Sequence, residues 1–327
     1  MRLGGHLFCG APATLGMHDV PDPVRRKAAA TGDEGEAWLA GLAPRLADLS
    51  ARWEITVGET LSGGTEAFVA EATMSDGRHA VLKLLPPGRH PSEVATLVAA
   101  EGRGYAEVYA VDDGRGALLL ERLGPTLAAL GWPVAAQIDA ICEALNDAWT
   151  VPLDTALLPS GAEKAAALSD GIEGMWQELG FSRPDPVLDT ALRYAAERRR
   201  LFDPDTAVTA HGDAHPWNTL AVPGTHPQRF KLIDPDGLFA ERAYDLGVLM
   251  REWSHEYVSG DPVGVGAARS RLLAERAGVS PRAVWEWGFV ECVSTGLLCT
   301  TLDLDEGREL LAVVRAWAGR SPEDALR

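Results

Sequence analysis

Three oxygen-bearing side chains, Asp213, Asn218 and Asp234, stand at spacings that suit the transfer of a phosphoryl group. The first two belong to the run Val208-Thr-Ala-His211-Gly-Asp213-Ala-His215-Pro-Trp217-Asn218, and the third follows the strand-like Phe230-Lys-Leu-Ile233. Moving a γ-phosphoryl group asks little covalent chemistry of a protein. It asks for metal ions across the phosphate oxygens and one carboxylate that aligns and deprotonates the attacking hydroxyl. An Asp with an Asn five positions later, on one sharply turning loop, can aim a base and a hard oxygen ligand at the same space. A second Asp at the end of a neighbouring strand adds the negative charge that suits Mg²⁺, which takes oxygen ligands and keeps several waters. Asp213 is thus the candidate base, and Asn218 and Asp234 are the candidate metal ligands. His211 and His215 lie four apart, as a zinc pair would, but Gly212 and Pro216 break the helix that would align them and the glutamate of an HExxH sequence is missing. Asp, Asn and Gly in a short loop also make ordinary turns, because they bond their own backbone and tolerate left-handed geometry. The residues upstream weigh against that plainer reading.

Residues 53–84 alternate apolar and polar side chains and are punctuated by Gly63-Gly64 and Asp76-Gly77, the texture of three strands joined by a glycine turn and a hairpin. The last strand, Ala80-Val-Leu-Lys83, carries one lysine among aliphatics. In an ordinary sheet such a lysine is an edge residue; beside a phosphoryl-transfer site it can hold the α- and β-phosphates and pair with a glutamate on the next helix. Pro91-Ser-Glu93-Val-Ala-Thr-Leu97 begins that helix, with proline near its start and apolar residues at helical spacing. Glu93 is therefore the expected partner, with Glu101 as rival. The turn Gly63-Gly64-Thr65 can cover phosphates with backbone N–H groups, whose close approach favours residues without a Cβ. It is neither G-x-G-x-x-G nor a Walker A sequence, and a Gly-Gly pair between strands is usually a plain turn. Gly116 to Gly124 reads as an apolar strand that ends in charge and glycine, and Glu121 and Leu123 are the candidates, by position, to meet an adenine base.

With these residues assembled, the chain resembles the aminoglycoside phosphotransferases, and more narrowly their streptomycin 6-phosphotransferase and hydroxyurea phosphotransferase branch. The resemblance runs from Gly32 to Gly307. It rests on a helix spelled GEAWLAGLAPRLADL, on AVLK, ALLLERL and H-x-D-x-H-x-x-N-x-L, on I-D-P, and on a later Tyr-Asp-Leu. It implies an α+β, protein-kinase-like bilobal fold, with a small antiparallel-sheet amino-terminal lobe and a larger, mainly helical carboxy-terminal lobe. It also implies ATP, or GTP in its place, with Mg²⁺. Residue by residue, it makes Asp213 the base, Asn218 and Asp234 the Mg²⁺ ligands, Lys83 the phosphate lysine and Glu93 its partner. Asp245 becomes a buried carboxylate that braces the catalytic loop, with His211 in the same supporting role; a helix N-cap is the plainer reading of Asp245. The loop departs from the streptomycin kinases at Gly212, Ala214 and Trp217, which leaves the acceptor open.

The elements that must hold these residues change texture along the chain. An acidic helix is expected over 33–50 and strands over 51–123. Helices follow beyond Gly124, at Val134–Trp149, Val187–Phe202, Tyr244–Glu256, Pro262–Ala277 and Arg282–Leu302. The expected organisation is a loosely ordered extension over 1–32, a nucleotide-binding lobe over 33–123 and a catalytic and acceptor-binding lobe over 124–327. Trp285, Trp287 and Phe289 can line an acceptor pocket, but aromatics at helical spacing are more often core.

The 327 residues, 46% hydrophobic and 24% charged, suffice for two lobes with a sizeable core. Cysteines 9, 142, 292 and 299 show no metal spacing and nothing suggests export, so reduced thiols and a cytoplasmic protein are expected. The opening residues have neither the basic start of a signal peptide nor the apolar length of a membrane span. A formal charge of −17, with 47 acids against 30 bases, argues against nucleic acid as a partner, because phosphate backbones are held by basic patches. The acidity serves solubility and also suits a small cationic acceptor, for which Asp303, Asp305 and Glu306 are candidate contacts or else a solvated helix end. A monomer or a homodimer is compatible with all of this. Three function classes remain: a kinase of an antibiotic hydroxyl, a kinase of a metabolite such as an amino alcohol or amino sugar, and a nucleotide-binding pseudokinase. The complete set of Lys83, Asp213, Asn218 and Asp234 counts against the last.

Overall fold

The computed structural model describes residues 19–61, 67–88, 91–152, 157–320 and 322–326. Three short helices come first, α1 (Asp22–Ala29), α2 (Asp33–Ala40) and α3 (Leu42–Trp53). After them come β1 (Ile55–Thr60), β2 (Phe68–Met74), β3 (His79–Leu84), α4 (Pro91–Ala100), β4 (Val108–Asp112) and β5 (Ala117–Glu121). The five strands form one antiparallel sheet in the order β1-β2-β3-β5-β4. Successive side chains of a strand point to opposite faces, and here the two faces meet different neighbours. Phe68, Leu82, Leu84 and Leu119 join Trp38, Leu42, Leu46 and Leu49 in one core. Val69, Val81, Leu118 and Leu120 turn the other way, into the core shared with the rest of the molecule. Lys83 has the parity of Val81, and the register sets it between Val69 and Leu118. Period two thus puts the lysine on the inner face of the sheet.

The amino-terminal helices depart from expectation in two ways. The stretch read as a loose extension contains α1, whose Val24 and Ala28, one turn apart, are fully buried in the outer core. The single helix expected over 33–50 is two. Pro44 explains the break: in a continuous helix its ring would strike the carbonyl of Ala40, where α2 ends. Beyond the break, Leu42, Leu46 and Leu49 fall on one face of α3 and are buried. Each fully buried leucine stabilises the layer by roughly 1.5–3 kcal/mol, so these helices are structural parts of the amino-terminal lobe.

The larger lobe begins with a 3-10 turn over Leu127–Leu130, then α5 (Val134–Ala148), α6 (Gly161–Glu178) and α7 (Pro186–Arg200). Four short strands follow, β6 (Val208–Ala210), β7 (Thr219–Ala221), β8 (Phe230–Leu232) and β9 (Leu238–Ala240). Helices close the chain: α8 (Arg242–Leu249), α9 (Ser254–Val258), α10 (Pro262–Ala277), α11 (Pro281–Thr301), α12 (Asp305–Trp317) and α13 (Pro322–Ala325). Their starts are legible chemistry. Ser160 and Glu163 make a capping box on α6, and Asp185-Pro186 and Asp261-Pro262 cap α7 and α10 and set their first turns. Helix α11 is buried nearly all round, as the central helix of a lobe must be. Its Trp285, Trp287 and Phe289 are core residues. The helix expected over 244–256 is interrupted between α8 and α9, where Trp253 takes a left-handed backbone (φ 53°). Helices α6 and α12 add to those expected. The whole is a small antiparallel-sheet lobe joined to a larger helical one. Among the described residues, no helix is long and apolar enough to cross a membrane.

Candidate active site

Two nested strand pairs bracket the chemistry. β6 pairs with β9 and β7 with β8, both antiparallel. The loop 211–218 that leaves β6 and the loop 233–237 that leaves β8 are therefore anchored side by side, and Ile233 N–H donates to the Asn218 carbonyl across them (2.9 Å). Three-residue strands give little sequence signal, yet they are what turns two separate clusters into one site. The amino-terminal lobe is tied to the same frame, because Ala106 N–H donates to the Leu232 carbonyl and Leu232 N–H to that of Gly104.

Asp245 holds the loop 211–218 from below. It lies fully buried in the first turn of α8, whose N-cap is Glu241, so it acts inside the helix and not as the cap. Its carboxylate accepts from the Trp149 indole (2.8 Å) and from the backbone N–H groups of His211 (2.9 Å) and Gly212 (2.7 Å). Burial pushes its pKa up, and the nearby His211 and these donors oppose that push. His211 is buried too. Its Nε2–H donates to the Ile233 carbonyl (2.9 Å) and its Nδ1 accepts from Asp213 N–H (3.0 Å), so both ring nitrogens link loop to strand. That pattern requires the neutral imidazole, and burial accordingly lowers its pKa. Gly212 sits at φ +90°, and a Cβ there would come within 2.5 Å of the Asp236 Cβ. The glycine between histidine and aspartate is a steric requirement of the turn.

Lys83, Glu93 and Asp234 meet where the lobes face each other. The Lys83 ammonium bonds both Glu93 Oε1 and Asp234 Oδ1, the latter at 2.8 Å. Burial would lower the lysine's pKa, yet the two carboxylates hold it above the ordinary value. Lys83 and Glu93 are almost wholly buried, whereas about a third of Asp234 is exposed. Glu101, the rival, lies beyond the end of α4 and is exposed. Asp234 takes a left-handed backbone (φ 57°), an uncommon state for a non-glycine residue and one often found at functional sites.

Asp213 and Asn218 stand in the same loop. The Asn218 amide donates Nδ2 to the Asp213 carbonyl (3.1 Å), which assigns its oxygen to the other side. Asp213 bonds Arg251 through Oδ1, and its Oδ2 lies 3.4 Å from His215 Nε2. His215 Nδ1 accepts from the N–H groups of Trp217 and Asn218 (3.2 Å each). Both histidines are thus engaged within the loop and do not form a zinc pair.

The family model for aminoglycoside/hydroxyurea antibiotic resistance kinases matches residues 52–301, which span every one of these side chains. The chain belongs to that family. A streptomycin 6-kinase of Streptomyces glaucescens is 28% identical over 314 residues, covering 91% of this chain and 95% of the relative. A hydroxyurea phosphotransferase of Kitasatospora aureofaciens is 29% identical over 278 residues, covering 78% and 76%. Among solved structures, a choline kinase from Streptococcus pneumoniae superposes with a TM-score of 0.56 at 15% identity, over 83% of this chain and 96% of its own; a complex of that kinase with AMP gives 0.55. These structures share the fold. The protein is an enzyme of the small-molecule kinase class.

Mg²⁺ is the ion that phosphoryl transfer on such a fold implies, and the donor set would suit it. Asp234 and Asn218 offer oxygen only, and one or two protein oxygens suffice for an ion that keeps waters and takes phosphate oxygens. Among the described residues no group of three or more His, Cys, Asp or Glu is placed to hold a metal without such help. Asp236, two residues on, is turned under the loop, where Lys164 Nζ lies 3.4 Å from its Oδ2. Other expected residues fall differently. Gly63, Gly64 and Thr65 lie outside the described residues. Leu123 is buried, and the Glu121 carboxylate accepts from Lys231 (2.6 Å) and from Glu107 N–H (3.1 Å). The Glu121 backbone N–H donates to the Glu107 carbonyl (2.8 Å). Its side chain therefore links sheet to β8, and any contact with a base falls to the main chain. Asp303, Asp305 and Glu306 are exposed at the turn into α12, where Asp305 pairs with Arg308 (2.7 Å). Sequence reasoning missed Trp149, Arg251, Glu252 and Glu291, which are distant in the chain and sit in unremarkable helical patterns.

Proposed function

We propose that this kinase transfers the γ-phosphoryl group of ATP to a hydroxyl of a small cationic molecule, with streptomycin the first candidate. The observation that carries the reading is that the loop of Asp213 and Asn218 is bonded to the loop whose Asp234 joins Lys83 and Glu93. In that arrangement the acceptor oxygen attacks the γ-phosphorus and its proton passes to Asp213. The bond from phosphorus to the bridging oxygen breaks, and ADP leaves with the electron pair. Lys83, kept charged by its two carboxylates, is suited to the α- and β-phosphates. Asp234 and Asn218 would hold Mg²⁺, which neutralises phosphate oxygens when bound. The wall near the base favours a cation. Asp213, Glu252 and Glu291 supply three carboxylates around one guanidinium, and Glu309 on α12 joins that side by accepting from Ser254 (2.6 Å). Asp303, Asp305 and Glu306 extend the acidity outward, as contacts that would draw a polycation in.

Hydroxyurea, a neutral acceptor, is the second reading, favoured by the relative of that name at 29% identity. One panel separates them. Purified protein with Mg-ATP or Mg-GTP is offered streptomycin, other aminoglycosides, hydroxyurea and amino alcohols, with nucleotide consumption and product mass as readouts. Turnover with streptomycin, weakened by salt, supports the proposal. Turnover confined to hydroxyurea overturns it, and turnover confined to amino alcohols overturns streptomycin as the acceptor.

A further inference from the structure

The residue that touches the proposed base is an arginine from another element. Arg251, two residues past the end of α8, donates Nη2 to Asp213 Oδ1. Its Nη1 donates to Glu291 Oε2 on α11 (3.1 Å) and reaches Thr295 Oγ1 (3.5 Å), while its Nε lies 3.6 Å from Glu252 Oε1. Glu291 is itself fixed. Its other oxygen accepts from the hydroxyl of Tyr244 (2.7 Å), a wholly buried residue of α8. The guanidinium is one-tenth exposed, so it has left most of its water for these carboxylates. Burial alone would weaken its charge, and Asp213, Glu291 and Glu252 restore it.

A buried ionic cluster of this kind is a poor source of stability, because desolvation offsets most of the attraction. What it supplies well is geometry. A guanidinium is planar and always charged, and its donors form a rigid fork, so one carboxylate held on one arm fixes the position of another on the next arm. A lysine offers a point charge on a flexible stem and cannot transmit orientation in that way.

We propose that Arg251 is a positioning residue of the transfer reaction. It holds Asp213 by Oδ1, so that Oδ2, the oxygen beside His215, is the one turned to the acceptor hydroxyl and the one that receives its proton. Glu291 and Tyr244 fix the fork from behind, and α11 thereby acts on the base through a chain of two contacts, Glu291 to Arg251 and Arg251 to Asp213. This inference rests on the reading of Asp213 as base.

The test compares Arg251→Lys, Arg251→Met and Tyr244→Phe with Asp213→Ala, using the acceptor the panel identifies, or water as acceptor if it identifies none. Displacing a catalytic group by about 1 Å can lower turnover roughly 10²-fold, so both Arg251 variants are expected to lose about 10- to 100-fold in kcat. Their KM for nucleotide and acceptor should stay within about twofold, since neither substrate is held by Arg251. Tyr244→Phe removes one hydroxyl far from either substrate and should lower kcat about 3- to 10-fold, the worth of one hydrogen bond. Guanidinium ion added to Arg251→Ala should restore part of the rate, which a purely structural role would not allow. Should Arg251→Met fail to fold, Tyr244→Phe decides alone. Wild-type kcat in Arg251→Lys and Tyr244→Phe, with Asp213→Ala inactive, overturns the inference and leaves the base intact. Full activity in Asp213→Ala overturns both.

Discussion

Asp213 and Asp234 are proposed for separate duties, base and metal ligand, that substitution should divide. Asp213→Ala is expected to lower kcat by about 10²–10⁴-fold with nucleotide KM nearly unchanged, as loss of a positioned base should. Asp234→Ala should weaken Mg-nucleotide binding as well as turnover, because it removes the proposed metal carboxylate and a partner of Lys83. Steady-state kinetics with nucleotide and Mg²⁺ varied separately measures both; unchanged Mg²⁺ dependence in Asp234→Ala would shift that role elsewhere. Glu252 gives a prediction in pH. Burial raises its pKa above the ordinary 4.5, against the pull of His215 and Arg251. The folded state therefore binds the proton more tightly than the unfolded one. The ionised form is disfavoured at neutral pH, and the penalty disappears once both states are protonated below about pH 4. Glu252→Gln should melt above the wild type near neutral pH, with the gap closing as pH falls. A gap that widens toward acid would mean that the carboxylate is stabilised by folding.

At the scale of elements, the Arg251 contacts depend on how closely α8 and α11 approach. A Cβ on Gly247 would come within 2.4 Å of the Trp287 Cβ, and one on Gly288 within 2.6 Å of the Met250 Cβ. An alanine inside a helix is normally favoured over glycine by about 1 kcal/mol. At Gly247 the atoms in the way are backbone and Cβ, which cannot swing aside, so overpacking of about 1–3 kcal/mol should win there. Gly247→Ala is thus expected to lower the melting temperature and, by pushing Arg251 off Asp213, to lower kcat in the folded fraction. A more stable variant with full activity would show that the helices have room to separate. The same contacts mark the limit of what the sequence discloses. Asp213, Asn218 and Asp234 are legible because loop chemistry sets them at short, fixed spacings, and Lys83 because period two gives its face. Asp213 and Arg251 are 38 positions apart, and Arg251 and Glu291 a further 40. Helical packing alone joins them, and no local pattern encodes it. The break at Pro44 was readable from one rule of helix sterics, whereas that before α9 rests on a left-handed Trp253, which no residue preference would suggest.

Over the whole molecule, the formal charge of −17 becomes a statement about substrate only if it acts at the cleft. Replacing Asp303, Asp305 and Glu306 by their amides should raise KM for a cationic antibiotic and leave nucleotide KM in place, since only acceptor binding is weakened. Added salt should raise the wild-type acceptor KM in the same direction, because exposed charges are screened over about 8–10 Å near physiological ionic strength. A triple variant that phosphorylates streptomycin as well as wild type does would reduce the cluster to solvated surface. The charge is spread over a body with two cores, one beneath the sheet and one between the sheet and α1–α3. This has a practical side for anyone who handles the protein. A chain trimmed up to residue 18 keeps every core side chain among the described residues. One trimmed past Leu49 strips a whole wall from Phe68, Leu82, Leu84 and Leu119 and presents a flat greasy sheet to its neighbours. Such a fragment should run in the void volume of a sizing column, although Lys83, Glu93, Asp213, Asn218 and Asp234 are all still encoded.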